Sequence, residues 1–311
     1  MRSVAARSAL TPAAGECGVS GVIWAVASGL GFGLFQALNI RAVRQLDDIY
    51  VSTFLQLVTA ALVSVVVCAA TGELAFVDDL TAWAIVSFTI AGAVHFFFGW
   101  TLLNTSQQHI GAARTAPLLA TVPLWGIAIA AVVYGELPPA EAWIGIVVMV
   151  AGALTVSSPA AMAGMRWSDA RFGLATAFLW ALSPIFTIEG LEEIDAPLLG
   201  VAIGLVSSAL AYGLVTLLAS GNRTSPRDMS RTGLAWKMLA GAIVAIATWW
   251  RFEALGLSPV GVVLALMLLT VPTVLLLAPL FADKRAEAVT ARVWIGAALV
   301  IAGSLILIAV E

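Results

Sequence analysis

Two distant stretches of the chain read almost alike: Trp-Ile-Gly-Ile-Val-Val-Met-Val-Ala-Gly-Ala-Leu at 143–154 and Trp-Ile-Gly-Ala-Ala-Leu-Val-Ile-Ala-Gly-Ser-Leu at 294–305. Both fit the frame W-I-G-x5-A-G-x-L. Each is almost wholly apolar, as is typical of a helix inside a membrane. A frame that recurs so far along the chain indicates an internal duplication.

Further landmarks precede each copy of the frame in the same order. A tryptophan lies eleven residues before a glycine, and a Thr-Val-Pro triplet follows. The landmarks are Trp100, Gly111 and Pro123 in the first half, and Trp250, Gly261 and Pro272 in the second. Landmarks in the same order at nearly equal spacing predict that one ancestral unit was copied.

The composition places both units in a membrane. Of 311 residues, 61% are hydrophobic and 11% are charged, against about 25% charged in soluble domains. The mean hydropathy is +1.02. So few charges cannot cover a soluble surface, and they exclude a disordered chain, a disulfide scaffold and a nucleic-acid binder. Cys17 and Cys68 are too few for a zinc site, so we expect no metal and no cofactor.

Ten stretches are apolar enough to be membrane helices, each needing about 20 residues. The predicted helices lie at roughly 19–40, 51–71, 82–106, 111–134, 142–158, 172–190, 197–219, 235–256, 259–281 and 292–310. The predicted organisation is a tail at 1–18, a first unit at 19–158, a linker at 159–171 and a second unit at 172–310. Five helices per unit is an odd number, so the second unit enters the membrane reversed. The fold predicted is all-α and integral to the membrane, with ten transmembrane helices as two inverted five-helix repeats.

The basic residues predict the orientation of the chain. Twelve of the fifteen fall on one side: Arg41, Arg44, Arg114, Arg166, Arg171, Arg223, Arg227, Arg231, Lys237, Lys284, Arg285 and Arg292. Basic loops stay cytoplasmic, so both termini are expected on the outer side of the cell (cytoplasmic) membrane. Arg2 and Arg7 pull the first helix the opposite way.

Short motifs of the first half resemble one EamA unit of the drug/metabolite transporter superfamily. They are Leu102-Leu103-Asn104-Thr105-Ser106, Gly111, Pro123, Tyr134-Gly135-Glu136, Trp143-Ile144-Gly145 and Ala151-Gly152. The second half is similar through Glu253-Ala254-Leu255-Gly256-Leu257-Ser258, Pro272 and Trp294-Ile295-Gly296. It departs at Phe281-Ala282-Asp283, where the Gly-Glu pair would stand. The resemblance implies a ten-helix permease whose cavity is lined by the first, third and fourth helices of each unit.

Polar residues inside the spans are the candidates for a site, because a charge at the centre of a membrane helix costs about 2.5–3.5 kcal/mol. His95, two turns before Asn104, either carries a proton or binds solute, or is a neutral ring bonded to a neighbouring helix. Arg114 either attracts an anionic solute or extends to the cytoplasmic interface. Gln36 and Asn39 share one helix face, which either lines the cavity or packs on another helix.

Two further charges lie at the far end of the eighth helix. Arg251 and Glu253 are two residues apart, so they point to different faces and at least one needs another partner. Glu189 either pairs with Arg251 or is solvated in the acidic loop that follows it. Trp180 and Trp250 are either apolar walls for a solute or interfacial anchors.

These features predict a secondary transporter, not an enzyme, that moves a small metabolite such as an amino acid by alternating access in the export direction. There is no P-loop motif G-x4-G-K-[ST], so a gradient supplies the energy, or the protein is a facilitator. If protons are coupled, the carriers are His95, Glu189 or Glu253. A passive channel or lipid scramblase is the alternative, and a membrane-embedded enzyme a third. The expected partners are the solute and membrane lipid, with the protein a monomer.

Overall fold

A computed structural model describes residues 17–43, 45–46, 49–110, 112–135, 137–156, 167–218, 229–281 and 291–310. These ranges are helical apart from short turns and contain no β-strand. The all-helical prediction is therefore confirmed. Most of the predicted N-terminal tail and most of the predicted linker lie outside the described residues.

Ten helical rods, here α1 to α10, make up the described part of the chain. The unbroken rods are α1 (Cys17–Val43), α2 (Ile49–Thr71), α5 (Ala142–Val156), α6 (Trp167–Glu193), α7 (Pro197–Leu218), α8 (Arg231–Leu257) and α10 (Ala291–Val310). The rod α3 joins Ala82–Gly92, a π-helical segment Ala93–Gly99 and Trp100–Ile110. The rod α4 joins Ala112–Leu119 and Val122–Tyr134, and α9 joins Val260–Leu266, a 3-10 turn Met267–Leu269 and Thr270–Phe281.

Nine of the rods in the described ranges are long and apolar enough to cross a membrane. The tenth, α5, has 15 residues, which is about 22 Å of helix against a hydrocarbon core of about 30 Å. The outward surface is apolar: Val132 is 86% exposed and Leu217 84%. Side chains of this kind are stable against acyl chains and not against water. The chain is an integral membrane protein.

Local chemistry explains where several rods begin and end. The Thr81 hydroxyl accepts from the Ala84 N–H and caps α3. Gly135 ends α4 in the left-handed conformation with φ 66°, which glycine adopts without a steric penalty. A 3-10 helix at Glu73–Asp79 was not predicted. It brings the Glu73 carboxylate to the start of α7, where it accepts the Leu198 and Leu199 N–H groups at 3.0 Å each.

The rods pack in a regular set of pairs. The three most extensive contacts are α1 with α8, α3 with α6 and α5 with α10. The rod α2 packs on α7 and α8, and α3 packs on α6 and α7. The rod α4 contacts α6 and α9, and α1 also contacts α9. Two large apolar cores result, one around α4, α5 and α9 and the other around α2, α3 and α7. A small third cluster consists of Leu46, Val51 and Met229.

Glycines of the repeated frame make the contact between α5 and α10. A Cβ on Gly145 would lie 2.9 Å from the Gly303 carbonyl oxygen, and a Cβ on Gly152 would lie 2.8 Å from the Gly296 carbonyl oxygen. The first glycine of each frame thus faces the second glycine of the other. Such pairing requires that α5 and α10 run antiparallel. Only glycine lets the two backbones approach this closely.

Candidate functional site

The polar centre of the bundle is built on the π-helical segment of α3. π-helical turns are rare and are frequently found at functional sites. His95 lies in this segment near the middle of α3 and is 4% exposed. Its imidazole Nδ1 lies 3.1 Å from Ser183 Oγ of α6 and 3.2 Å from Arg251 Nη1 of α8. Three rods therefore meet at one nitrogen atom.

Arg251 is the largest fully buried side chain among the described residues, at 1% exposure. Its guanidinium lies 5.7 Å from the centroid of the neighbouring Phe252 ring. Within the described residues its hydrogen bond goes to His95, not to Glu189, and its Nε has no hydrogen-bond partner. A buried positive charge without a carboxylate is costly, which makes Arg251 the outstanding feature of the site.

The hydrogen bonds determine the protonation state of His95. A guanidinium only donates, so Nδ1 must accept and carry no proton. The imidazole is then neutral, with its proton on Nε2. The Ser183 hydroxyl has a single proton, which serves either His95 Nδ1 or the Trp180 carbonyl at 3.3 Å. The centre is thus one positive charge surrounded by neutral groups.

Pro184 explains the polar group on α6. Proline has no N–H, so the carbonyl four residues earlier, that of Trp180, loses its helical hydrogen bond. The Ser183 hydroxyl lies next to that carbonyl and can replace the missing donor. The Trp180 ring in turn stacks on His95 at 5.3 Å between centroids, and its Nε1 donates to the His95 carbonyl at 3.2 Å.

A glycine in α3 makes room for this stack. A Cβ on Gly99 would lie 2.6 Å from Trp180 Nε1, so a larger residue there would displace the indole. Aromatic rings close the other side of the centre, since Phe96 packs edge-on against both His95 and Trp100. Trp100 stacks on Phe35 of α1 at 5.9 Å. His95 and Arg251 are therefore enclosed by aromatic surface.

Glu253 belongs to a separate arrangement further along α8. Its Oε1 accepts the Trp249 Nε1 proton at 2.8 Å, one turn earlier on the same rod. Trp249 contacts Trp24 of α1, with ring centroids 6.1 Å apart. Glu253 is half-buried and lies on a different face of α8 from Arg251. The two charges therefore have different neighbours, as their spacing predicted.

The remaining candidates take part in contacts between rods. Asn39 accepts from Lys237 Nζ at 2.7 Å, and Asn104 donates to Thr53 Oγ1 at 3.4 Å. Trp250 packs against α1, 3.3 Å from where a Cβ on Gly31 would lie. None of these three contacts includes His95.

No hydrogen bond of the described residues joins Gln36 or Glu189 to His95, and a third candidate is not described. Gln36 is half-buried on α1, and Glu189 is half-buried on α6. The side chain of Arg114 lies outside the described part of the structure. The tertiary structure thus brings together His95, Trp180 and Arg251 among the residues predicted from sequence.

Two buried polar residues of these contacts were not among the predicted candidates. The sequence feature that could have indicated Ser183 is its position next to a proline inside an apolar helix. Lys237 is 3% exposed, and the feature that could have indicated it is a lysine six residues into α8. Within the described ranges, no three His, Cys, Asp or Glu side chains are placed to hold a metal ion.

Comparison with known proteins identifies the family. The model of the EamA-like transporter family matches residues 19–158. Residues 19–158 belong to the EamA-like transporter family. The resemblance drawn from the motifs of the first half, including its place in the drug/metabolite transporter superfamily, is confirmed. Members of the EamA family are transporters and not enzymes. No curated protein matches the chain in sequence.

Solved structures share the fold over nearly the whole chain. A crystal structure of a protein superposes with a TM-score of 0.74 at 17% sequence identity. The match covers 92% of this chain and 95% of that one. At this identity the likeness shows a shared fold over nearly the whole chain, and nothing about the family or the solute.

Proposed function

We propose that this EamA-family chain is a secondary transporter that exports a small metabolite, such as an amino acid, across the cytoplasmic membrane by alternating access. The observation that carries the proposal is the cluster of His95, Ser183 and Arg251. It is a buried polar centre that contains a positive charge inside a largely apolar bundle. Polar groups are retained at such depth where a solute or an ion must bind.

The packing of the rods supports two inverted repeats, α1–α5 and α6–α10. If each rod n corresponds to rod n+5, the α1–α8 contact has its counterpart in α6–α3. The α2–α8 contact likewise corresponds to α7–α3, and α1–α9 to α6–α4. The pairs α2–α7, α4–α9 and α5–α10 correspond to themselves. A two-fold axis relating the units requires this set of pairs.

The polar centre lies where these two units meet. His95 belongs to the first unit, whereas Ser183 and Arg251 belong to the second. Rocking of one unit against the other would separate His95 from Arg251 and admit water or solute from one side. The bond between them therefore acts as a contact of the closed conformation.

The charge distribution supports the rest of the proposal. Basic loops favour both termini outside the cell membrane, and ten rods can enclose a central site within a monomer. If export is proton-coupled, the hydrogen bonds favour Glu253 or Glu189 over His95 as the carrier in this conformation. The Nδ1 lone pair of His95 is already directed at a positive charge.

The test is transport by the purified full chain in proteoliposomes, with radiolabelled amino acids and organic acids. We expect saturable counterflow that is lost in His95→Ala, while Gly256→Ala, where a Cβ meets only Leu191 Cδ1 at 3.7 Å, retains it. Loss of proton-driven flux in Glu253→Gln, with counterflow retained, would assign the coupling. Flux that does not saturate would favour a channel or scramblase and refute the proposal.

A further inference from the structure

We propose that the solute carries a carboxylate, and that the edge of the Arg251 guanidinium bearing Nε binds it. The inference rests on the proposed transport function and specifies the chemical class of the solute. It follows from an imbalance of charge at the polar centre.

Arg251 lacks a counter-charge in the described structure. Its one hydrogen bond, from Nη1, goes to the neutral His95. The nearest acid along the chain, Glu253, accepts from Trp249 instead. Nε lies buried with no acceptor among the described residues.

A buried guanidinium in this state is incomplete. Its N–H groups form a planar fork that matches the two oxygens of a carboxylate or phosphate. With Nη1 engaged by His95, the edge that carries Nε remains for a ligand. An anion bound there would satisfy the orphaned donor and neutralise the charge together.

The surroundings favour an organic carboxylate over a hydrated inorganic ion. Trp180 stacks on His95, and the ring of Phe96 lies edge-on to it at 4.8 Å. Aromatic faces bind hydrocarbon and exclude water. We therefore assign the oxyanion to Arg251 and the carbon skeleton of the solute to these rings.

The experiment measures ligand-induced thermal stabilisation of the purified full chain. The probes are 3-phenylpropionate, its neutral amide 3-phenylpropionamide, propionate and inorganic phosphate. We expect 3-phenylpropionate to raise the melting temperature in a saturable manner, propionate to act more weakly, and the amide to have no effect. Stabilisation by inorganic phosphate as strong as by 3-phenylpropionate would overturn the assignment to a carboxylate.

Variants at Arg251 locate the site. Arg251→Gln should weaken 3-phenylpropionate binding about thirtyfold or more, which corresponds to about 2 kcal/mol at 1.4 kcal/mol per tenfold change. Arg251→Lys retains the charge but not the planar fork of donors, so its affinity for 3-phenylpropionate should lie between those of the unmodified chain and Arg251→Gln. The matched control is Arg292→Gln, because Arg292 Nε donates to the Thr155 carbonyl on α5, away from the centre. This variant should bind as the unmodified chain does.

Three results would overturn the inference: equal binding of acid and amide, undiminished binding by Arg251→Gln, or no binding of any probe. If Arg251→Gln does not fold, the test rests on two other measurements: the binding of 3-phenylpropionate against its amide, and the binding of 3-phenylpropionate by Arg251→Lys. Saturable transport of a neutral solute that survives Arg251→Gln would overturn the inference but leave the transport function standing. Flux that does not saturate would refute the function itself.

Discussion

Alanine substitutions at the four frame glycines test how the two halves are joined. Gly145 faces Gly303, and Gly152 faces Gly296. The two crossings are seven residues apart along each helix, or about 10 Å. If α5 and α10 ran parallel, Gly145 would instead face Gly296. The pattern of energetic coupling between the glycines therefore reports the relative direction of the helices.

The expected cost follows from the closeness of the backbones. A Cβ on Gly303 would lie 2.7 Å from the Gly145 oxygen, and one on Gly152 would lie 2.7 Å from the Val300 nitrogen. These neighbours are main-chain atoms, so the helices must move apart, at about 1–3 kcal/mol for overpacking. The higher helix propensity of alanine returns up to about 1 kcal/mol. We expect a net loss of about 1–2 kcal/mol in the free energy of unfolding per substitution.

The assay is a double-mutant cycle on the purified protein, with unfolding followed by tryptophan fluorescence. Once Gly145→Ala has separated the helices, Gly303→Ala should cost less, giving a coupling of about 1 kcal/mol. Gly145→Ala with Gly296→Ala should be nearly additive. Gly256→Ala is the control and should be neutral or stabilising, because its Cβ meets only Leu191 Cδ1 at 3.7 Å. Strong coupling of Gly145 with Gly296, and none with Gly303, would refute the antiparallel arrangement.

Three further predictions concern single residues. Arg251→Met should stabilise the ligand-free protein by about 1 kcal/mol or more, because it removes a buried, uncompensated charge; a lower melting temperature would contradict this. Burial raises the pKa of the Glu73 carboxyl above 4.5, so the folded chain binds the carboxyl proton more tightly than the unfolded chain does. The protonated carboxyl therefore adds to the free energy of unfolding below pH 4.5, and this contribution is lost as pH rises through the raised pKa. Glu73→Gln should abolish this loss in melting curves recorded between pH 4 and pH 7, whereas parallel curves for both proteins would disprove it. Gly99→Ala should displace Trp180 from the His95 stack, so that solute binding and tryptophan fluorescence both change while the chain still folds; if neither changed, the stack would have no role in binding.

Local pattern determined the class of the protein. Apolar runs of membrane-spanning length and a scarcity of charge predict helices in lipid, because each run must satisfy its own backbone hydrogen bonds wherever it is placed. The W-I-G-x5-A-G-x-L frames likewise predicted a duplication, since a copied unit retains its landmarks in order. Boundaries were less accurate: α6 begins at Trp167 and α8 at Arg231, five and four residues earlier than predicted.

Only the tertiary structure decided which polar residues belong together. His95 is 88 residues from Ser183 and 156 from Arg251 along the chain, and no spacing rule connects positions so distant. Sequence alone left Arg251 able to pair with Glu189. In the folded protein Arg251 bonds a neutral histidine, because the faces of α3, α6 and α8 that contain these three residues pack together. A helix forms through hydrogen bonds between residues near in sequence, whereas the partner of a buried charge is set by the packing of helices that are distant in sequence.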